Sequence, residues 1–118
     1  MADDNIYENH LFISTSLDPS DQEELNYFLE SVSTDTSLLS FEAILSPPDE
    51  FKDLDKLDWC IANWGTIEDC TDVVIIDRTD SAVYYKFNTV APPLLFVQNM
   101  SILCPEFDFF LKYKKGDE

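Results

Sequence analysis

The sequence predicts an α+β domain: a four-stranded antiparallel sheet with two helices on one face and an inserted segment that carries a third helix. Three observations lead there. Four stretches either alternate apolar and polar residues or are dense in β-branched ones, as half-buried strands are. Two stretches open on proline and continue with apolar residues at helical spacing. With residues 33–70 set aside, these occur in the order strand, helix, strand, strand, helix, strand. A chain of 118 residues has the size of one domain, so 1–118 is read as a single unit with 33–70 inserted in its plan.

Residues 1–5 are polar and read as a frayed end. From Tyr7 to Ile13, alternation puts Tyr7, Asn9, Leu11 and Ile13 on one face of a strand and Glu8, His10, Phe12 and Ser14 on the other. Asp18 is placed to cap a helix with Pro19 at its first position. That helix runs to about Ser31 with Leu25, Phe28 and Leu29 inward, and acids in its first turn suit the macrodipole. Residues 31–37 form a polar loop, and Leu38–Leu45 reads as a short extended segment stopped by Pro47 and Pro48.

Asp53–Asn63 carries Leu54, Leu57, Cys60 and Ile61 at 3–4 spacing, a helix with one apolar stripe. Asn63-Trp64-Gly65-Thr66 then stops it, because Gly65 tolerates positive φ. Trp59 and Trp64 are the two tryptophans of the chain, and a pair at a helix end more often packs in a core than stacks a ligand. Thr71–Asp77 and Val83–Thr89 read as strands joined by a hairpin loop at Arg78–Ser81. Pro92 and Pro93 open the second long helix, with Leu94, Leu95, Val97, Ile102 and Leu103 as its apolar contacts, up to Cys104 before Pro105. Phe107, Phe109, Leu111 and Tyr113 alternate through a last strand, and Lys114–Glu118 is a solvated tail. The order is that of the split βαβ, ferredoxin-like plan, with right-handed crossovers.

Charge is the unusual quantity. Twenty-four Asp and Glu against seven Lys and Arg give a formal net charge of −17. Residues 1–51 hold twelve of the acids and no Lys or Arg. A surface of this sign does not bind nucleic-acid phosphates or anionic membranes, both of which require cations. Two tryptophans, five tyrosines and nine phenylalanines exclude wholesale disorder. Three cysteines without a CxxC pair, and an N-terminus lacking a basic and apolar leader pattern, are the features of a reducing cytoplasm with buried thiols. No run approaches the length of a membrane span.

Catalytic material is sparse. His10 is the single histidine, and no P-loop, GxSxG or GxGxxG is present, so no catalytic residue and no cofactor-binding residue is assigned. Cys60, Cys70, Cys104 and His10 have no finger-like spacing, and Asp49–Asp58 lacks the glycine and closing glutamate of a calcium loop, so no metal ligand is assigned.

Several segments together resemble one family. Tyr7-x-Asn9-x-Leu11-x-Ile13, the stretch from Leu39 to Pro48, Trp59 to Thr66 with its Asn-Trp-Gly-Thr, and Phe87-Asn-Thr-Val-Ala-Pro-Pro93 follow in order along nearly the whole chain. They are similar to the corresponding segments of the YubB-like (ferredoxin-like) proteins of phages, plasmids and other mobile elements. Glu68, and Val90 or Ala91, stand where that family commonly has aromatics. The resemblance implies the fold and a mobile-element origin; it implies no activity.

The expectation is therefore a non-enzymatic, cytoplasmic inhibitor that offers a basic nucleic-acid-binding protein a competing anionic track. Its partner would be a host defence nuclease, a CRISPR effector or a restriction enzyme. The partner-binding candidates are Asp18, Asp21, Glu23, Glu24 and Glu30 on the first helix, and Asp49, Glu50, Asp53, Asp55 and Asp58 at and before the next. The alternative is an interaction or homo-oligomeric assembly module that uses a sheet edge or the Trp59/Trp64 corner. A third, a small hydrolase or nuclease, would require activity that depends on His10 or a defined carboxylate pair; the bland reading, acidity that only keeps a small protein soluble, gives no partner.

Overall fold

The structure is a computed structural model that describes residues 6–116; the expectations for the two chain ends beyond these lie outside it. Its elements are β1 (Tyr7–Ser14), α1 (Pro19–Ser31), α2 (Phe41–Ile44), α3 (Leu54–Asn63), β2 (Thr71–Thr79), β3 (Ala82–Thr89), α4 (Leu94–Leu103) and β4 (Asp108–Lys115). The four strands form one antiparallel sheet in the order β2-β3-β1-β4. This is the ferredoxin-like arrangement, with β1 and β3 central and an inserted segment between α1 and β2.

Local chemistry accounts for the first third of the chain. Asp18 sits in extended backbone and accepts from the Ser20 amide at 2.9 Å, with Pro19 at the first helical position. Leu25 and Phe28 of α1 are buried on the sheet, and the Arg78 guanidinium of β2 donates to the Asn26 side-chain oxygen. On β1 the inward residues are Asn9, Leu11 and Ile13. The polar member is held through its amide nitrogen, Asn9 Nδ2 donating to Thr89 Oγ1 at 2.9 Å and to the Phe87 carbonyl at 3.3 Å, while among the described residues its Oδ1 is buried without a partner.

The inserted segment is part of the core rather than an appendage. Leu39, Phe41, Cys60, Trp64 and Cys70 join Leu11, Tyr85, Phe87 and Phe96 in one buried cluster. Phe41 stacks on Phe96 with ring centroids 4.1 Å apart and meets Phe87 and Trp64 edge-on. The expected extended run over 38–45 is instead broken by α2. Ser40 caps this turn, and Asp69, 28 residues downstream of Phe41, takes the Phe41 amide at 2.7 Å, the Ser40 hydroxyl at 2.8 Å and the Glu42 amide. A carboxylate brought in by tertiary folding thus satisfies helix-end donors that a strand would have used in a ladder.

The Asn-Trp-Gly corner ends α3 as expected. Gly65 has φ of 86°, its amide reaches the Cys60 and Ile61 carbonyls, and a Cβ there would lie 3.1 Å from the Pro92 carbonyl oxygen. The same corner fixes α4: the Phe96 amide donates to the Trp64 carbonyl, and Asn99 Nδ2 to the Asn63 carbonyl at 2.8 Å. This docking corrects the expected stripe of α3. The helix turns Trp59, Cys60 and Trp64 inward, leaving Leu54, Leu57 and Ile61 exposed. On α4 the buried residues are Phe96 and Met100, while Leu94, Ile102 and Leu103 are exposed, again because the docked end sets the rotation. No helix of the described residues is long and apolar enough to cross a membrane.

Candidate functional site

The acidic residues expected to bind a partner sit on the helical side of the sheet. On α1, Glu23, Glu24 and Glu30 are exposed, Glu23 and Glu30 lying on one line with the exposed Tyr27. Asp18 is committed to its cap, and Asp21 is half-buried and accepts from Ser16 Oγ at 2.6 Å. Asp49 and Glu50 lie in the turn before α3, Asp53 caps it with φ of 54° and no side-chain cap bond, and Asp55 and Asp58 are one turn apart on its surface. All ten except Asp21 are exposed. The two rows stand on separate helices, α1 and α3, and α3 packs on α4. The ion pairs found among the described residues, from His10 and Lys86 to Glu8, lie on the sheet and include none of the ten, although Lys52 and Lys56 stand among the acids beside and on α3.

The opposite side of the sheet carries a second feature. Register places Tyr84, Phe12 and Phe110 side by side across β3, β1 and β4, with Lys86, His10 and Lys112 in the next row and Asn88, Glu8 and Lys114 beyond. Phe12 stacks on Tyr84 at 4.2 Å and lies 5.8 Å from Phe110. His10 is held at both ring nitrogens, Nδ1 2.6 Å from the Tyr84 hydroxyl and Nε2 2.7 Å from Glu8 Oε2. With the proton on Nε2, the ring donates to Glu8 and accepts from Tyr84. An imidazole engaged on both sides orients Tyr84 against Phe12; to take a proton from a substrate it would first have to break a bond.

Two carboxylates gain from such bonds. The hydrogen bond from His10 holds the Glu8 carboxyl below its ordinary value of 4.5, and the Ser20 backbone amide holds Asp18 below 3.8. A carboxyl whose folded value is depressed stabilises the fold fully above its unfolded value and loses that contribution as pH falls through the folded one. Stability of the wild-type chain is thus expected to fall between about pH 4.5 and lower pH, and a Glu8→Gln variant to show a flatter acid limb in urea midpoints measured across this range.

The thiols are arranged for packing. Cys60 and Cys70 are buried and Cys104 half-buried, and all three are free; burial pushes each thiol up from its ordinary value, away from the reactive thiolate. Among the described residues no group of three His, Cys, Asp or Glu side chains is placed to hold a metal ion. Trp64 is buried and Trp59 half-buried, which removes Trp64 from any docking surface.

Sequence reading assigned no role to the sheet-face cluster. The signal was present in part, since Glu8, His10 and Phe12 share one face of β1, and Phe110, Lys112 and Lys114 share one face of β4. Their assembly depends on register, which alternation within a strand does not specify. Comparison of the chain with family models, with curated proteins and with solved structures gives no match.

Proposed function

We propose that the protein is a small, non-enzymatic, acidic inhibitor that occupies the basic nucleic-acid-binding cleft of another protein. The observation that carries this reading is the excess of acid on the helical side: nine exposed carboxylates among the ten on and around α1 and α3, none in an ion pair among the described residues, against Lys52 and Lys56 beside and on α3 and Arg78 at Asn26 of α1, while Lys86, Lys112 and Lys114 lie on the far side of the sheet. Exposed carboxylates outside ion pairs keep their acceptor capacity for lysines and arginines of a partner, as phosphates do. Duplex DNA presents one charge per about 1.7 Å of axis, and rows of acids on rigid helices compete for the groove that tracks it. The resemblance to YubB-like proteins of mobile elements supports a host defence nuclease, of a CRISPR or restriction system, as the target, met in the host cytoplasm.

The test is capture of partners from host lysate at low salt, with elution by rising salt and competition by duplex DNA. A nucleic-acid enzyme should be retained, released by moderate salt and displaced by DNA. The triple variant Glu23→Lys, Glu24→Lys, Glu30→Lys should weaken binding to the recovered enzyme on the order of 10²-fold. Partners that resist salt and ignore the triple reversal would sink the reading.

A further inference from the structure

We propose that the open face of the sheet is the contact between two copies of this chain, packed sheet to sheet. The face is the place where a chain of net charge −17 can approach itself. On β1, β3 and β4 it carries Lys86, Lys112 and Lys114 against Glu8 and Asp108, around an aromatic centre of Phe12, Tyr84 and Phe110. Phe110 is 61% exposed, and Val74 and Ile76 on the neighbouring β2 are exposed as well. Helix-layer acids repel a second helix layer, whereas an apolar centre inside a mixed-sign rim is the composition of a protein–protein contact.

Register gives the arrangement. A second copy turned over about an axis along the Tyr84–Phe12–Phe110 row brings that row onto itself. The row on one side, Lys86–His10–Lys112, then meets the row on the other, Ala82–Ser14–Asp108. Lys112 of each copy lies across from Asp108 of the other, twice by symmetry. Asp77, on the far edge strand, is the acid this arrangement leaves facing its own copy. Four strands spaced about 4.8 Å apart, with eight residues of about 3.3 Å rise, make a footprint of roughly 500 Å² before side-chain relief. That lies just below the low end of stable interfaces, about 600 Å² per partner, a gap that side-chain relief has to supply. Facing sheets about 10 Å apart leave room for one interdigitated layer of these rings. Such a dimer turns both acidic helix layers outward, so its formation and the proposed inhibitory surface are separable.

Sedimentation equilibrium of the full chain over a concentration series is the test. The mass should rise to twice that of the chain and stop there. Phe110→Glu, at an exposed position that leaves the circular dichroism spectrum unchanged, should hold the protein as a monomer. Lys112→Glu and Asp108→Lys alone should each weaken dimerisation about tenfold, and the double variant should recover wild-type affinity within about threefold. A monomer at every concentration, a mass that continues past two chains, a dimer indifferent to Phe110→Glu, or a charge swap that fails to recover would each overturn the proposal. Partner capture by the Phe110→Glu monomer is read separately, since it reports on the helix layer alone.

Discussion

Replacing Phe41 by alanine is expected to cost about 3–5 kcal/mol of folding stability, the range for deleting a fully buried aromatic side chain. Phe41 is fully buried and stands where the inserted segment meets the rest of the core. It stacks on Phe96 of α4 and meets Phe87 of β3 and Trp64 edge-on, the Trp64 ring centroid 5.7 Å away. Alanine would leave a cavity walled by rings from three separate elements, none of which can collapse without moving a helix or strand. Phe41→Leu, which keeps most of the volume, should cost about 1–1.5 kcal/mol. Urea unfolding of the three proteins measures both. A loss below about 1 kcal/mol for Phe41→Ala would mean that the segment 33–70 is docked loosely and the domain is stable without it.

The second large effect is expected at Trp64. Its ring is buried, packs edge-on against Trp59 and Phe41, and its Nε1 donates to the Leu45 carbonyl at 2.9 Å. Trp64→Ala should also cost about 3–5 kcal/mol, combining lost burial with an unpaired carbonyl. Trp64→Phe retains part of the ring contact and removes the donor, so its smaller loss isolates the hydrogen bond and the shortened ring, about 1–2 kcal/mol together. Because Phe41 and Trp64 touch, their double alanine variant should lose less than the two single losses combined, by about 0.5–1.5 kcal/mol. Strict additivity would show that the two rings do not share one cavity and would contradict the packing of the corner.

These two residues also show where sequence reading reached its limit. The Asn63-Trp64-Gly65 stop was legible because it is local grammar: a glycine at φ 86° closes α3 whatever packs around it. The helix start at Asp18-Pro19 was legible for the same reason. The turn at Phe41–Ile44 was not, because the group that completes its cap is Asp69, distant in the chain. Nor was the direction of the α3 apolar face. Leu54, Leu57 and Ile61 have helical spacing, yet hydrogen bonds from Phe96 and Asn99 to the Trp64 and Asn63 carbonyls dock the C-terminal end of the helix with these three side chains exposed.

By itself, the sequence determined the order of strands and long helices, the sharing of one face of β1 by Tyr7, Asn9, Leu11 and Ile13, and the acidity of the residues on α1 and around α3. Each of these follows from interactions between residues close in the chain, where spacing is geometry: a period of two in a strand, 3.6 in a helix. Tertiary structure alone decided that the inserted segment is core, that Asp69 completes the cap of α2, and that Phe12, His10 and Lys112 meet Tyr84, Phe110 and Lys86 on one open face. The physical reason is register: one residue of slip between paired strands exchanges the two faces, and long-range packing, not local pattern, holds it in place.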